Sequence, residues 1–115
     1  MTYILIHNPN CSTSRNGLEL LKAHGVEPTL RKYMSEEERF TAAELKALAK
    51  KLKAKSPREF LRAKDAAEAG LSAMADDEAV YAAMVANPRL IQRPIGINGR
   101  KAVIGRPVER LLEIA

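Results

Sequence analysis

The chain opens on a short unbroken apolar run, Thr2 to His7 ("TYILIH"), rich in β-branched and aromatic residues. Such a run predicts a strand buried on both faces of a sheet. The period then changes. From about Ser14 to His24, Leu18 and Leu21 share a helical stripe, and Gly25 follows where a left-handed residue closes a helix most easily, so a helix is expected there. "EPTLRKYM" returns to an extended pattern. Strand, helix and strand in so short a span make a βαβ unit with a right-handed crossover.

Residues 41–87 read as a helical insertion. Thr41 and Glu44 form a capping box ahead of Leu45, Leu48, Ala49 and Leu52, which fall on one face. Ser56 and Glu59 form another, with Pro57 at the first helical position, and predict a short helix carrying Phe60, Leu61 and Arg62. A third helix starts near Asp76 or Asp77 and stops at Asn87-Pro88, because the residue before a proline is pushed out of the helical region. Beyond it, Asn98-Gly99 between two apolar runs predicts a hairpin, and "PVERLLEI" a closing helix. The expected architecture is α/β in one domain over residues 1–115: a central mixed sheet of about four strands, a βαβ start, a C-terminal ββα and a helical insertion at about 41–87.

Composition narrows the function. A chain of 115 residues buries about two thirds of its unfolded surface without disulfides or a structural metal. One cysteine excludes an internal disulfide, and with two histidines it makes a poor zinc set, so no metal is expected and a reduced, cytoplasmic protein with a free thiol is. No basic leader precedes the first strand, and no apolar stretch approaches the ~20 residues of a membrane helix. A net charge of +5 favours anionic partners without separating nucleic acid from a small oxyanion. The basic residues between Lys46 and Lys64 interleave with Leu48 and Leu52 at helical spacing and read as a solvated face. Sparse aromatics with no stacking motif or zinc finger argue against nucleic acid. Neither a phosphate loop nor H-E-x-x-H occurs.

Cys11 stands apart. It lies between the first strand and a helix start, where unpaired backbone N–H groups and the positive end of the helix dipole lower a thiol pKa from ~8.5 into a range of about 3.5–7.5. Ser12, Thr13 and Ser14 add hydroxyls that can donate to sulfur or cap the helix, while His7 and Arg15 offer nearby charge or hydrogen bonds.

The stretches "HNPNCSTSRNGLELL", "FLRAK", "NPRLIQRPI" and "GRPVERLLEI" resemble the corresponding blocks of the glutaredoxin-coupled arsenate reductases, from the first strand to the last helix. The resemblance implies a thioredoxin-like fold with a helical insertion, Cys11 as nucleophile, and Arg62, Arg93 and Arg106 as an oxyanion-binding triad. It places His7 and Ser14 where they help to hold the cysteine ionised, and implies a cis Arg93-Pro94 bond. It also implies an oxidoreductase acting on arsenate or a related small oxyanion as a monomer, with no bound cofactor and with glutathione and glutaredoxin as reductants. Guanidinium groups suit this chemistry, because their planar fork pairs with a tetrahedral oxyanion and never deprotonates. Two rival readings are excluded. Spx-like regulators switch through C-x-x-C, where this chain has Ser14, and phosphatase-like arsenate reductases need C-x-x-x-x-x-R, where it has Gly17. A glutathione-dependent thiol reductase with another substrate would keep Cys11 and its positive pocket.

Overall fold

Leu5 and Ile6 are adjacent, so their side chains point to opposite faces of a strand, and both are fully buried. The first strand is therefore covered on both sides, as its unbroken apolar pattern requires. The computed structural model describes residues 2–115. Its elements are β1 (Tyr3–Ile6), α1 (Ser12–Ala23), β2 (Thr29–Arg31), α2 (Ala42–Leu52), α3 (Ala63–Glu68), α4 (Asp77–Ala86), β3 (Ile95–Asn98) and β4 (Lys101–Ile104). The strands form one mixed sheet in the order β2-β1-β3-β4, with β1 parallel to β2 and antiparallel to β3, and β3 antiparallel to β4.

Two cores sit on its two faces. Tyr3, Leu5, Leu21, Val103 and Leu111 pack α1 and the C-terminal turn against one face. Ile6, Tyr33, Phe60, Ile91 and Ile95 join Leu45, Val80 and Met84 of the helical insertion on the other. No described helix is long and apolar enough to cross a membrane.

The local signals act as their chemistry dictates. Thr41 Oγ1 accepts from the Glu44 N–H at 3.2 Å while the Glu44 carboxylate accepts from the Thr41 N–H at 3.0 Å, a reciprocal cap on α2. Asp76 caps α4, accepting from the Ala79 N–H at 2.9 Å, and the helix stops at Ala86 ahead of Asn87-Pro88. Gly96 is the one strand residue whose lack of a side chain is required, because a Cβ there would collide with the Tyr3 hydroxyl.

Three elements depart from expectation. The box at Ser56 opens only a 3₁₀ turn, Pro57–Phe60, and Arg62 stands outside it as the N-cap of α3. Backbone pairing explains the early stop: the Arg62 N–H donates to Leu90 O at 2.7 Å and the Gln92 N–H to Phe60 O at 2.9 Å, so residues 60–62 are drawn into a short ladder with 90–92. Asn98 pairs with Lys101, which makes Gly99-Arg100 the hairpin turn, with φ of 64° at Gly99. A turn of this form needs its positive φ at the first central residue, where glycine has no steric penalty. The closing segment Val108–Ile114 is a 3₁₀ helix.

Candidate active site

Cys11 is the N-cap of α1, in extended conformation with φ −105° and ψ 123°. The tight turn before it is held by the Cys11 N–H donating to Asn8 O at 3.0 Å and by the Asn10 N–H donating to the Asn8 side-chain oxygen at 3.0 Å. Ser14, fully buried, fastens this turn from inside, its hydroxyl oxygen accepting from the Asn8 N–H at 3.3 Å. Arg15 fastens it from outside, its guanidinium donating to Pro9 O at 2.8 Å. The sequence reading gave both residues to the thiolate. The structure gives their side chains to the loop that presents it.

The sulfur is half-buried. Burial opposes its ionisation, but the backbone N–H of Ser14, the Arg93 guanidinium and the backbone N–H of Thr13 outweigh it, and the thiol is lowered from 9.0 to about 7. Arg106 adds a second guanidinium, with Nη2 4.0 Å from Sγ. The first turn of α1 carries no acidic residue to offset these donors.

The 90s segment and the turn after β4 bring the arginines together. Arg106 Nε donates to Arg93 O at 2.9 Å, and the Gly105 N–H to Pro94 O at 2.8 Å, so the two loops are tied beside the sulfur. The Arg93-Pro94 bond is cis, as expected, and so is Arg106-Pro107, which the sequence reading did not anticipate. Arg62 joins the same segment through its backbone bond to Leu90, and its Nε meets Asp65 Oδ2 at 2.8 Å. Among these arginines two guanidinium nitrogens, Arg62 Nη1 and Arg93 Nε, are buried without a partner. Buried donors of this kind ordinarily find an acceptor. An oxyanion would supply oxygens to such donors.

His7 has a different character from the one expected. It is 3% exposed. Burial, then the charges of Lys32 and Arg15, push its pKa below the usual value, so at neutral pH it is an uncharged imidazole and lends the sulfur no positive charge.

Two groups escaped the sequence reading. Asp65 fixes Arg62, and its position three residues on, in the first turn of α3, was the available signal. The other is Tyr33. Its ring is fully buried and its hydroxyl stands near Arg93, Arg106 and Cys11. Nothing in the pattern of "RKYM" marks it.

A model of the ArsC family matches residues 6–114. The chain is 46% identical over 117 aligned positions to a protein of Escherichia coli named as the uncharacterized protein YfgD, covering 96% of this chain and 93% of that one. It is 39% identical to an arsenate reductase of Haemophilus influenzae, covering 99% of both. Among solved structures, an arsenate reductase from Vibrio cholerae superposes with a TM-score of 0.91 at 37% identity, covering 100% of this chain and 98% of the other. On this whole-length match of sequence and thioredoxin-like fold, the chain belongs to the ArsC family.

Proposed function

We propose that the protein is a glutathione- and glutaredoxin-dependent arsenate reductase with Cys11 as nucleophile. The observation that carries this reading is a single sulfur of pKa about 7 set between the guanidinium groups of Arg93 and Arg106. At neutral pH about half of such a thiol is thiolate. The arginines serve two ends: they hold the sulfur ionised, and they neutralise an incoming oxyanion that would otherwise repel it.

In the proposed reaction the Cys11 thiolate attacks arsenic and displaces hydroxide, which leaves as water once protonated by solvent. Arg62, Arg93 and Arg106 hold the oxyanion oxygens while charge shifts onto the leaving oxygen. A glutathione thiolate then attacks the adduct at the cysteine sulfur. The S–As bonding pair passes to arsenic, which departs as arsenite, and the two sulfurs are left as a mixed disulfide. Glutaredoxin takes over the glutathione moiety and returns Cys11 to the thiol. The route needs one protein thiol and no bound cofactor, and it suits a monomer in the reducing cytoplasm.

The test is arsenate-dependent NADPH consumption with glutathione, glutaredoxin and glutathione reductase. Turnover is expected with the native chain and none above background with Cys11→Ser. No consumption with the native chain overturns the reading. A second reading is a thiol reductase of the same site with another substrate, since the relative matched at 46% identity does not carry the name of an arsenate reductase. It predicts that the same coupled system turns over a small disulfide faster than glutaredoxin alone does, and does not turn over arsenate.

A further inference from the structure

Leu111, in the closing 3₁₀ helix, is fully buried and lies where three parts of the active-site frame meet. A methyl on Gly17, in the middle of α1, would stand 2.8 Å from Leu111 Cδ1 and 3.1 Å from Pro94 Cγ. One on Gly105, the residue before Arg106, would stand 2.8 Å from Leu111 Cδ2 and 3.0 Å from Pro94 Cγ. Glycine weakens a helix interior, and this close approach accounts for its place in α1. The Leu111 backbone is fixed in turn by the Tyr3 hydroxyl, which donates to Leu111 O at 2.7 Å. One side chain is thus packed against the helix that Cys11 caps and against the glycine before Arg106, and the proline after Arg93 borders both contacts.

We propose that Leu111 is a positioning residue of the active site, a wedge that sets the spacing between the helix start bearing Cys11 and the two loops bearing Arg93 and Arg106. Those loops are already tied to each other, Arg106 Nε to Arg93 O at 2.9 Å and the Gly105 N–H to Pro94 O at 2.8 Å, so they form one unit. What the ties leave open is the distance of that unit from α1, and Leu111 is packed between the two. The distance matters because Arg106 Nη2 reaches Cys11 Sγ only at 4.0 Å, a long contact that a small shift would break. The N–H groups of Thr13 and Ser14 travel with Cys11 on α1 and do not depend on the wedge; the guanidinium groups do. Because the interior is close-packed, a change of shape at Leu111 is passed to all of these neighbours.

The inference rests on the reading of Cys11 as the reacting thiol, and its test uses no arsenate, so a native chain without arsenate turnover would overturn the proposed function alone. The pH dependence of Cys11 alkylation by iodoacetamide is measured for the native chain and for variants of Leu111. Leu111→Ala should raise the midpoint by about half a unit, part of what the outright loss of a guanidinium would cost. Leu45→Ala makes the same deletion at a fully buried leucine of α2, in the core on the other face of the sheet. It should lower the melting temperature and leave the midpoint at the native value. In a background carrying both Arg93→Gln and Arg106→Gln, Leu111→Ala should add no further shift, because the wedge acts through the cations. Leu111→Val, a smaller deletion with a smaller shift in the same direction, carries the same comparisons if Leu111→Ala is poorly folded. Leu111 variants that titrate at the native midpoint overturn the inference, as does an equal shift in Leu45→Ala or a shift undiminished in the background without the two arginines.

Discussion

Replacing Arg93 by Ala removes two of the influences that hold Cys11 at about pH 7, the guanidinium's hydrogen bond to the sulfur and its charge, and leaves the N–H groups of Ser14 and Thr13 in place. With only the helix-start groups and the more distant Arg106 left, the thiol should titrate roughly one unit higher. At pH 7 the thiolate fraction then falls from about a half to about a tenth, a loss of ~fivefold. Part of that loss is offset, because a more basic thiolate is more nucleophilic, with a Brønsted coefficient of about 0.4–0.5 that restores ~threefold per unit. Alkylation by iodoacetamide should therefore slow only ~twofold at neutral pH, and above about pH 8 the variant should react faster than the native protein.

Turnover should suffer much more. The same side chain is assigned to the oxyanion, and a lost hydrogen bond to a charged group costs about 1.5–3 kcal/mol, or roughly 10- to 150-fold in kcat/KM. The two assays thus separate the two roles of Arg93. A kcat/KM loss no larger than the alkylation loss would mean that Arg93 acts on the sulfur alone, and an unmoved alkylation midpoint would mean that it does not act on the sulfur at all. Arg93→Lys, which keeps the charge and loses the fork, should restore most of the midpoint and little of the turnover.

Arg62→Ala should reduce kcat/KM for arsenate less than Arg93→Ala, because Asp65 already neutralises part of the Arg62 charge; it should also lower the melting temperature, since a largely buried carboxylate is left unpaired. Gly96→Ala should destabilise the fold by about 1–3 kcal/mol in urea titrations, because the new methyl displaces the Tyr3 hydroxyl from Leu111 O; unchanged stability would deny that close approach. Glu44 is held at about 2, first by the Arg31 hydrogen bond and then by the Thr41 N–H. A carboxylate lowered on folding stabilises above its unfolded pKa of 4.5, and that contribution is lost as pH falls from there through about 2. Glu44 and Arg31 are both partly exposed, so screening leaves about 1 kcal/mol or less. The acid melting curves of the native chain and Glu44→Gln should converge across that window.

The elements that were legible from sequence are those whose signal is local. The capping box at Thr41 and Glu44, the stop at Asn87-Pro88, the unbroken apolar run of β1 and the helical stripes all form from residues within a few positions of one another. Cys11 belongs with them, because a strand end and a helix start are local signals and the helix-start N–H groups supply part of its activation before any tertiary contact is made. The errors arose where a distant segment overrode a local preference. Ser56 and Glu59 do form their reciprocal cap, yet the helix ends at Phe60 because residues 90–92 offer backbone partners to residues 60 and 62. That override is what seats Arg62 next to the segment carrying Arg93.

The same physics explains why the supporting groups were invisible. Ser14 and Arg15 read as partners for the sulfur, since a hydroxyl and a cation near a thiol are both plausible donors. Whether they reach it depends on how the turn at Asn8 is folded, and that turn takes them. His7 reads as a possible cation, but its charge state is decided by burial and by Lys32, which lies just past the end of β2. Tyr33 is the limiting case: an aromatic residue at a strand end is expected in any core, and only the register of β2 against β1, with the 90s segment closing over it, brings its hydroxyl within 3.5 Å of Ile91 O. A nucleophile can be read where its activation is built into the backbone beside it. The groups that aim the cations are set by register and layer packing, so they emerge only once the chain is folded.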